Sequence, residues 1–261
     1  MMDEMLLLPL LVAPFMGSFA GVLIMRLPQR RPVLHGRSAC DSCNVTLGPH
    51  ELLPLLSYGM QRGRCRTCQA PIGFFHTAVE LGALMVAVAV IGLRGHTPLP
   101  PDMTRLWAGC ILGWTLLALG WIDLRTLRLP DALTLPLVPG GLLVCELVEP
   151  AALVDHALAA VMGYAGFRLV AWAYRSLRGY DGLGQGDAKL LAAAGAWIGS
   201  AQLPVLVAGA AIVTLLAAGV TYLIAPSAAG AARTLRIPFG PGLGVVLWVL
   251  YLLDSGPWAP S

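Results

Sequence analysis

The sequence predicts an all-α membrane protein of about eight transmembrane helices with one small cytoplasmic zinc-type insert. Three observations predict it. The chain has 261 residues, of which 57% are hydrophobic and 12% charged, whereas a soluble domain carries about 25% charged residues. Its mean hydropathy is +0.74. So few charges cannot screen that much apolar surface from water, and lipid is its natural solvent. Second, the apolar residues fall into runs near bilayer length, at 5–25, 76–93, 106–122, 132–148, 154–173, 188–200, 203–224 and 239–254, where a spanning helix needs roughly 17–25 residues. Third, the basic residues are sorted by side.

The first run follows Asp3 and Glu4. It has no basic n-region, so it reads as a retained membrane helix rather than a cleaved signal. The sixth run is short and must be tilted or sheltered by its neighbours. Glycine and alanine are frequent in the runs, which suits close helix packing in lipid. Cys110 and Cys145 lie inside runs and read as small buried hydrophobes.

Orientation follows from the positive-inside rule. With the N-terminus outside, the inner side holds Arg26, Arg30, Arg31, Arg37, Arg62, Arg64, Arg66, Arg125, Arg128, Arg175, Arg178, Lys189, Arg233 and Arg236, with Arg168 near the inner end of the fifth run. Only Arg94 and Arg105 fall outside. An even number of spans places both termini outside. The organisation expected is a first helix (1–25), a cytoplasmic four-cysteine domain (26–75) and a multi-helix membrane domain (76–261). No internal repeat or low-complexity tract is evident.

The polar insert contains Cys40-Asp41-Ser42-Cys43 and Cys65-Arg66-Thr67-Cys68, two C-x2-C pairs separated by 21 residues. Each pair makes a tight turn that aims two sulfurs at one ion, and the gap lets two turns complete a tetrahedron. Four free thiols or a redox pair are the alternatives. A reducing cytoplasm disfavours disulfides, and the basic surroundings favour thiolates. A four-sulfur site is closed, so its zinc would be structural and would staple a loop with little core. His35, His50 and His76 lie nearby and read as solvated or structural residues.

Ionisable residues beside spans are functional hypotheses by default. Asp123 follows Gly120-Trp121-Ile122 at the inner end of the third run, and Asp187 ends Gly184-Gln185-Gly186 at the inner start of the sixth. The topology puts both on one membrane face. Two close carboxylates share a proton, so one can activate water while the other acts as an acid. Taken singly, each has a structural reading. Asp123 would pair with Arg125 or Arg128, and Asp187 would cap a helix.

The full series of motifs is more specific. It runs from Gly17-Ser18-Phe19-Ala20-Gly21-Val22-Leu23-Ile24-Met25-Arg26-Leu27-Pro28 through the cysteine pairs and Val79-Glu80-Leu81 to Trp121-Ile122-Asp123-Leu124-Arg125-Thr126-Leu127-Arg128-Leu129-Pro130-Asp131. Gly184-Gln185-Gly186-Asp187-Ala188-Lys189 and Ile237-Pro238-Phe239-Gly240-Pro241 complete it. In this order, from residue 15 to about 244, the chain resembles bacterial type IV prepilin peptidases. The resemblance implies an inner-membrane aspartyl endopeptidase with Asp123 and Asp187 as its catalytic pair. Cys40, Cys43, Cys65 and Cys68 would be the family's zinc-type domain. Its substrates would be type IV prepilins or type II secretion pseudopilins, cut after a glycine at the end of a short basic leader. Many members then methylate the new N-terminus with S-adenosylmethionine.

By the same resemblance the partners are these substrates and the lipid bilayer, with no nucleic acid. Asp131 matches a family motif but reads as the cap of the fourth run. Lys189 reads as a ligand of lipid phosphate or a neighbour that tunes Asp187. The chain departs from the family's usual residues at Phe75-His76-Thr77-Ala78, where Arg-Tyr-Pro is common, and at Gly21, where Asn is common. Both lie in the part associated with methylation. The competing readings are a peptidase without methylation and, from another class, a zinc-bearing membrane scaffold or a transporter. Transporters bury ionisable groups near the midplane, whereas both aspartates here lie at span ends.

Overall fold

In lipid a single segment satisfies its backbone polar groups by coiling into a helix, and helices are what these apolar runs form. The computed structural model describes residues 2–33, 38–40, 42–94, 102–179, 184–224 and 237–254. The chain order is α1 (Met2–Arg26), a short α2 (Leu56–Met60) in the insert, α3 (Phe75–Arg94), α4 (Met103–Thr126), α5 (Asp131–Val148), α6 (Leu153–Arg178), α7 (Gln185–Ile224) and α8 (Gly240–Asp254). No strand forms among the described residues beyond two isolated bridges in the insert. Six helices are long and apolar enough to cross a membrane, and α8 is shorter. His35, Arg37, Asp41, Arg233 and Arg236 lie outside the described residues.

The eight apolar runs occupy seven helices. The sixth and seventh runs, expected as separate spans, form one element, α7, bent at Gly199 (φ 71°, ψ −177°). That backbone suits glycine. It breaks the hydrogen-bond ladder, and Asp155 of α6 repairs the break by accepting from the Ser200 N–H (2.9 Å) and hydroxyl. The first arm of the bend is about 20 Å long at 1.5 Å per residue, less than a ~30 Å hydrocarbon core. Residues 190–199 are buried at every position, whereas the second arm is mostly exposed. The short run is therefore sheltered by its neighbours.

The helices form two compact units. The first gathers α1, the insert, α3 and the Gly113–Ala118 stretch of α4. Here α1 packs on α3, and a Cβ on Gly17 would lie 2.5 Å from the Glu80 Cα. Trp114 donates its indole N–H to the Ala83 carbonyl at 2.9 Å. The second unit holds the rest of α4 and α5 to α8. In it α7 packs on α5, α6 and α8, and Gly195 lies directly against the Ala159 backbone. Two indoles bind backbone carbonyls of neighbouring helices, Trp197 to Leu137 (2.8 Å) and Trp248 to Gly109 (2.9 Å). Indole N–H groups in an apolar core need such partners. Cys110 and Cys145 are buried, as read from the sequence.

Candidate active site and candidate metal centre

The first unit brings the four sequence-predicted cysteines together. Cys40 N–H donates to the Val45 carbonyl and Asn44 N–H to that of Cys40. The second turn repeats the pattern, with Cys65 N–H to Ala70 and Gln69 N–H to Cys65. Asn44 and Gln69 both take positive φ (54° and 58°), and the bridges Ala39–Thr46 and Arg64–Pro71 close the two hairpins. Each position of the first turn thus has a counterpart 25 residues on, from 40 to 65 and from 44 to 69. The sequence shows no repeat because only the cysteines are shared.

The four sulfurs lie within 4.8 Å of one another, with Cys40–Cys68 and Cys43–Cys65 Sγ pairs at 3.9 Å. A tetrahedral ion with metal–sulfur bonds of ~2.3 Å has sulfur–sulfur edges of about 3.8 Å. A disulfide would need about 2.05 Å. The set therefore fits a metal ion rather than a bridge. The amides of Cys43 and Ser42 point at the Cys40 sulfur and lower its thiol to about 6. The Val45 amide pulls Cys43 the same way, but desolvation and the sulfurs of Cys68, Cys40 and Cys65 push it up to about 12. Four thiols so placed resist sharing negative charge, and a divalent cation relieves that resistance. His50 and His76 are exposed and stand apart from the sulfur cluster.

The second unit brings the two aspartates together. Asp123, one turn from the C-terminus of α4, is 5% exposed. Its Oδ2 accepts from the Gly240 N–H at 3.0 Å, at the start of α8. Helix N-termini present unpaired N–H groups and a positive dipole end, so they suit a carboxylate. Arg125 stacks over Trp121 at 5.6 Å, and no cation pairs with Asp123 among the described residues. The alternative reading of Asp123 as an arginine partner finds no pair there.

Asp187 lies in the first turn of α7 and accepts from the Gly184 N–H. It therefore caps its own helix from within, the acidic half of a capping box. Asp123 is its electrostatic neighbour. The Leu129 side chain sits between the two groups' supports. A Cβ on Gly186 would lie 2.8 Å from Leu129 Cβ, and one on Gly240 would lie 3.3 Å from Leu129 Cδ2 and 2.7 Å from Asp123 Oδ2. Each carboxylate thus has one backbone donor and keeps other acceptor positions for water or a substrate.

Asp131 and Lys189 find each other. Lys189 Nζ donates to Asp131 Oδ1 on a partly exposed surface. Pro130 holds the N-cap position and Asp131 follows it in the first turn of α5, so the cap reading gives way to the ion pair with Lys189. Lys189 is spoken for by that pair rather than by Asp187.

Sequence reasoning missed Gly240 and Leu129 as parts of the carboxylate site. Pro238 and Pro241 around Gly240 did mark a helix start. Nothing in the sequence said which carboxylate that N–H would meet, 117 residues away.

Two hollows stand out in the second unit. One, of about 70 Å³, is lined by Arg105, Cys145, Glu149, His156, Trp197 and Tyr251 among others, and is far below the ~300 Å³ lower range of small-molecule sites. The other is wide, apolar and lined by Met103, Thr104, Trp107, Ala108, Ile111 and Val144. Neither suits S-adenosylmethionine. The first is too small, and the second offers no charged group for its ammonium and carboxylate.

A polytopic helical membrane protein with a four-thiol knuckle pair and adjoining carboxylates is a narrow class. Residues 11–93 match the bacterial peptidase A24 N-terminal domain, and residues 110–223 match the type IV leader peptidase family. A prepilin leader peptidase/N-methyltransferase of Aeromonas hydrophila is 40% identical over 217 residues, which cover 83% of this chain and 71% of that one. Proteins of the same description from Aeromonas salmonicida and Pseudomonas aeruginosa are 35% and 31% identical, covering 90% and 93% of this chain and 86% and 88% of theirs. No solved structure matches. The chain belongs to the type IV leader peptidase family.

Proposed function

We propose that this protein is an inner-membrane aspartyl endopeptidase that removes the leader from type IV prepilins or type II secretion pseudopilins, and that it also methylates the new N-terminus with S-adenosylmethionine. The observation that carries the peptidase reading is the adjacency of Asp123 and Asp187, each with a backbone donor. Asp123 has no cationic partner among the described residues. Two such groups share one proton. One carboxylate takes a proton from water as its oxygen attacks the scissile carbonyl. The other gives a proton to the leaving nitrogen as the C–N bond breaks. The leader leaves as an acid and the mature chain as an amine. Gly240 N–H occupies Asp123 Oδ2, which leaves Oδ1 to hold the water.

The basic-residue bias supports a cytoplasmic position for both aspartates and the 26–75 insert of this multi-pass protein. A basic leader held there meets an apolar helix held in lipid at the same depth. Within the proposed three-part organisation, the insert is a zinc-type domain whose ion Cys40, Cys43, Cys65 and Cys68 would hold. Such an ion cross-links the two turns and carries no reaction step. The methylation reading rests on the relatives' description and on the N-terminal family match.

A peptidase without methylation is the second reading, and one observation favours it. The two places where the chain departs from the family's usual residues meet, because a Cβ on Gly21 would lie 2.7 Å from His76 Nδ1. The deciding experiment is co-expression of the chain with a candidate prepilin and mass spectrometry of the product's N-terminus. A shortened product carrying one extra methyl supports both activities, and a shortened unmethylated product supports the second reading. An unprocessed prepilin beside a folded, inserted enzyme overturns the peptidase assignment.

A further inference from the structure

Glu80 is the one buried carboxylate in the first unit among the described residues, 7% exposed on a membrane helix. The peptidase chemistry does not use it. No cation pairs with it among the described residues. Its donors are neutral: the Leu55 N–H at 2.8 Å and the Ser18 hydroxyl of α1. Leu55 belongs to the insert, so Glu80 ties three parts of the unit to one point: α1, α3 and the returning limb of the zinc-type loop.

The tie holds an unfavourable conformation. Leu55 has φ 62° and ψ −47°, a region costly for a residue with a branched side chain. The neighbouring Leu56 N–H turns back to the Pro54 carbonyl at 2.7 Å, which makes a tight three-residue turn. Such a turn persists only where its surroundings over-determine it. Here the surroundings are sparse. Among the described residues from 38 to 74, only Pro54 and Cys65 are buried. One lies at the sulfur cluster and the other beside the Glu80 bond. At its start the insert is held by Arg26, which donates to the Pro32 and Val33 carbonyls (3.2 and 3.3 Å); beyond that, its buried points are the candidate metal centre and this latch.

We propose that Glu80 is a positioning residue for N-methylation: it anchors the zinc-type insert to the α1–α3 pair through the Leu55 turn. This inference rests on the methylation reading above. Without the latch, the insert keeps its ion but loses a fixed pose at the membrane edge. Positioning then fails for whatever part of methyl transfer the insert serves. An acceptor oxygen is what the latch needs, so the negative charge is dispensable.

The test uses the full chain in detergent or vesicles, with Glu80→Ala, Glu80→Gln and Ser18→Ala. Three quantities are read on each: prepilin cleavage, the methylated fraction of cleaved product, and the rate at which a chelator removes zinc. Leaving the Leu55 N–H unsatisfied in Glu80→Ala should lower the methylated fraction about tenfold and speed zinc release about fivefold, with cleavage within about threefold of wild type. Glu80→Gln, whose amide oxygen accepts the same N–H, should recover most of both. Ser18→Ala, which removes only one donor, should shift both mildly in the direction of Glu80→Ala and covers the case in which that variant fails to insert.

Unchanged methylation and zinc release in Glu80→Ala and Ser18→Ala would overturn the latch. So would Glu80→Gln behaving like Glu80→Ala, which would make charge the active property. Equal loss of cleavage would make Glu80 a general structural residue. If the wild-type enzyme cleaves but never methylates, the methylation reading is what fails, and zinc release alone decides the latch.

Discussion

Two buried carboxylates on two membrane helices receive a backbone N–H from a distant segment, and they end in different chemistry. Glu80 in the first unit accepts from Leu55 and Ser18, both neutral donors, and its neighbourhood is closed by the backbone approach of Gly17. Asp123 in the second unit accepts from Gly240 and lies beside a second carboxylate, Asp187. The first arrangement is satisfied and holds structure in place. The second leaves two acids in mutual opposition, the arrangement in which, under the proposed mechanism, one acts as a base while the other stays an acid. Burial alone therefore does not distinguish the two carboxylates, and the proposed catalytic role of Asp123 rests on the company it keeps.

The strongest way to break this comparison is to remove one member of the pair. Asp123→Asn and Asp187→Asn should each lower prepilin cleavage on the order of a thousandfold, within the range for acid–base groups. The double variant should be no worse than the single ones, because the groups act as a unit. Near-normal turnover in either single variant would make Asp123 a held residue like Glu80. The wild-type rate should rise and fall with pH and report the pair rather than either member.

Removing the proposed metal probes the first unit. Cys40→Ser, or exhaustive chelation, should strip the ion and expose the insert to protease. Structural zinc is worth roughly 10 kcal/mol or more to small domains. Cleavage should survive better than methylation. Protons compete with the ion for the thiolates, so the ion should stay bound at neutral pH and be released only as the pH falls well below the value of about 6 that the free Cys40 thiol has. Metal analysis across a pH series checks this. An ion whose retention did not weaken with acid at all would argue for ligands other than thiolates.

A subtler change sharpens the role of the donor. Gly240→Ala puts a methyl 2.7 Å from Asp123 Oδ2, too close for the oxygen to stay in place. Cleavage should drop about tenfold, or about 1.4 kcal/mol of barrier, with the fold intact by its thermal unfolding. The smallest effect is expected at the partly exposed Lys189–Asp131 pair. Lys189→Ala should change stability by less than about 1 kcal/mol and leave cleavage within about twofold, which a larger loss would contradict.

The difference between the two units also shows where the sequence was legible. The cysteine set was readable because metal ligation is local, with both ligands of a turn set by one C-x2-C spacing. The aspartates were readable as candidates because a charge beside an apolar run is conspicuous. Of the structural roles open to them, one holds and one does not. Asp187 does cap α7 through Gly184 while facing Asp123, whereas Asp123 takes a backbone N–H in place of an arginine. The departures at Gly21 and His76 looked like two independent changes, yet they touch.

Composition and periodicity alone determined the helical membrane class, the places of the apolar segments and the residue types available for a metal and for acid–base chemistry, because those follow from local spacing and from the solvent each segment can tolerate. Only tertiary structure decided that Gly199 joins two runs into one bent helix, that Gly240 serves Asp123, that Lys189 serves Asp131 and that Glu80 serves the zinc-type loop. Apart from the Gly199 bend itself, which Asp155 supports from α6, each of those is a hydrogen bond between segments tens of residues apart. Its partner is chosen by how helices pack, which the local pattern of one segment does not encode.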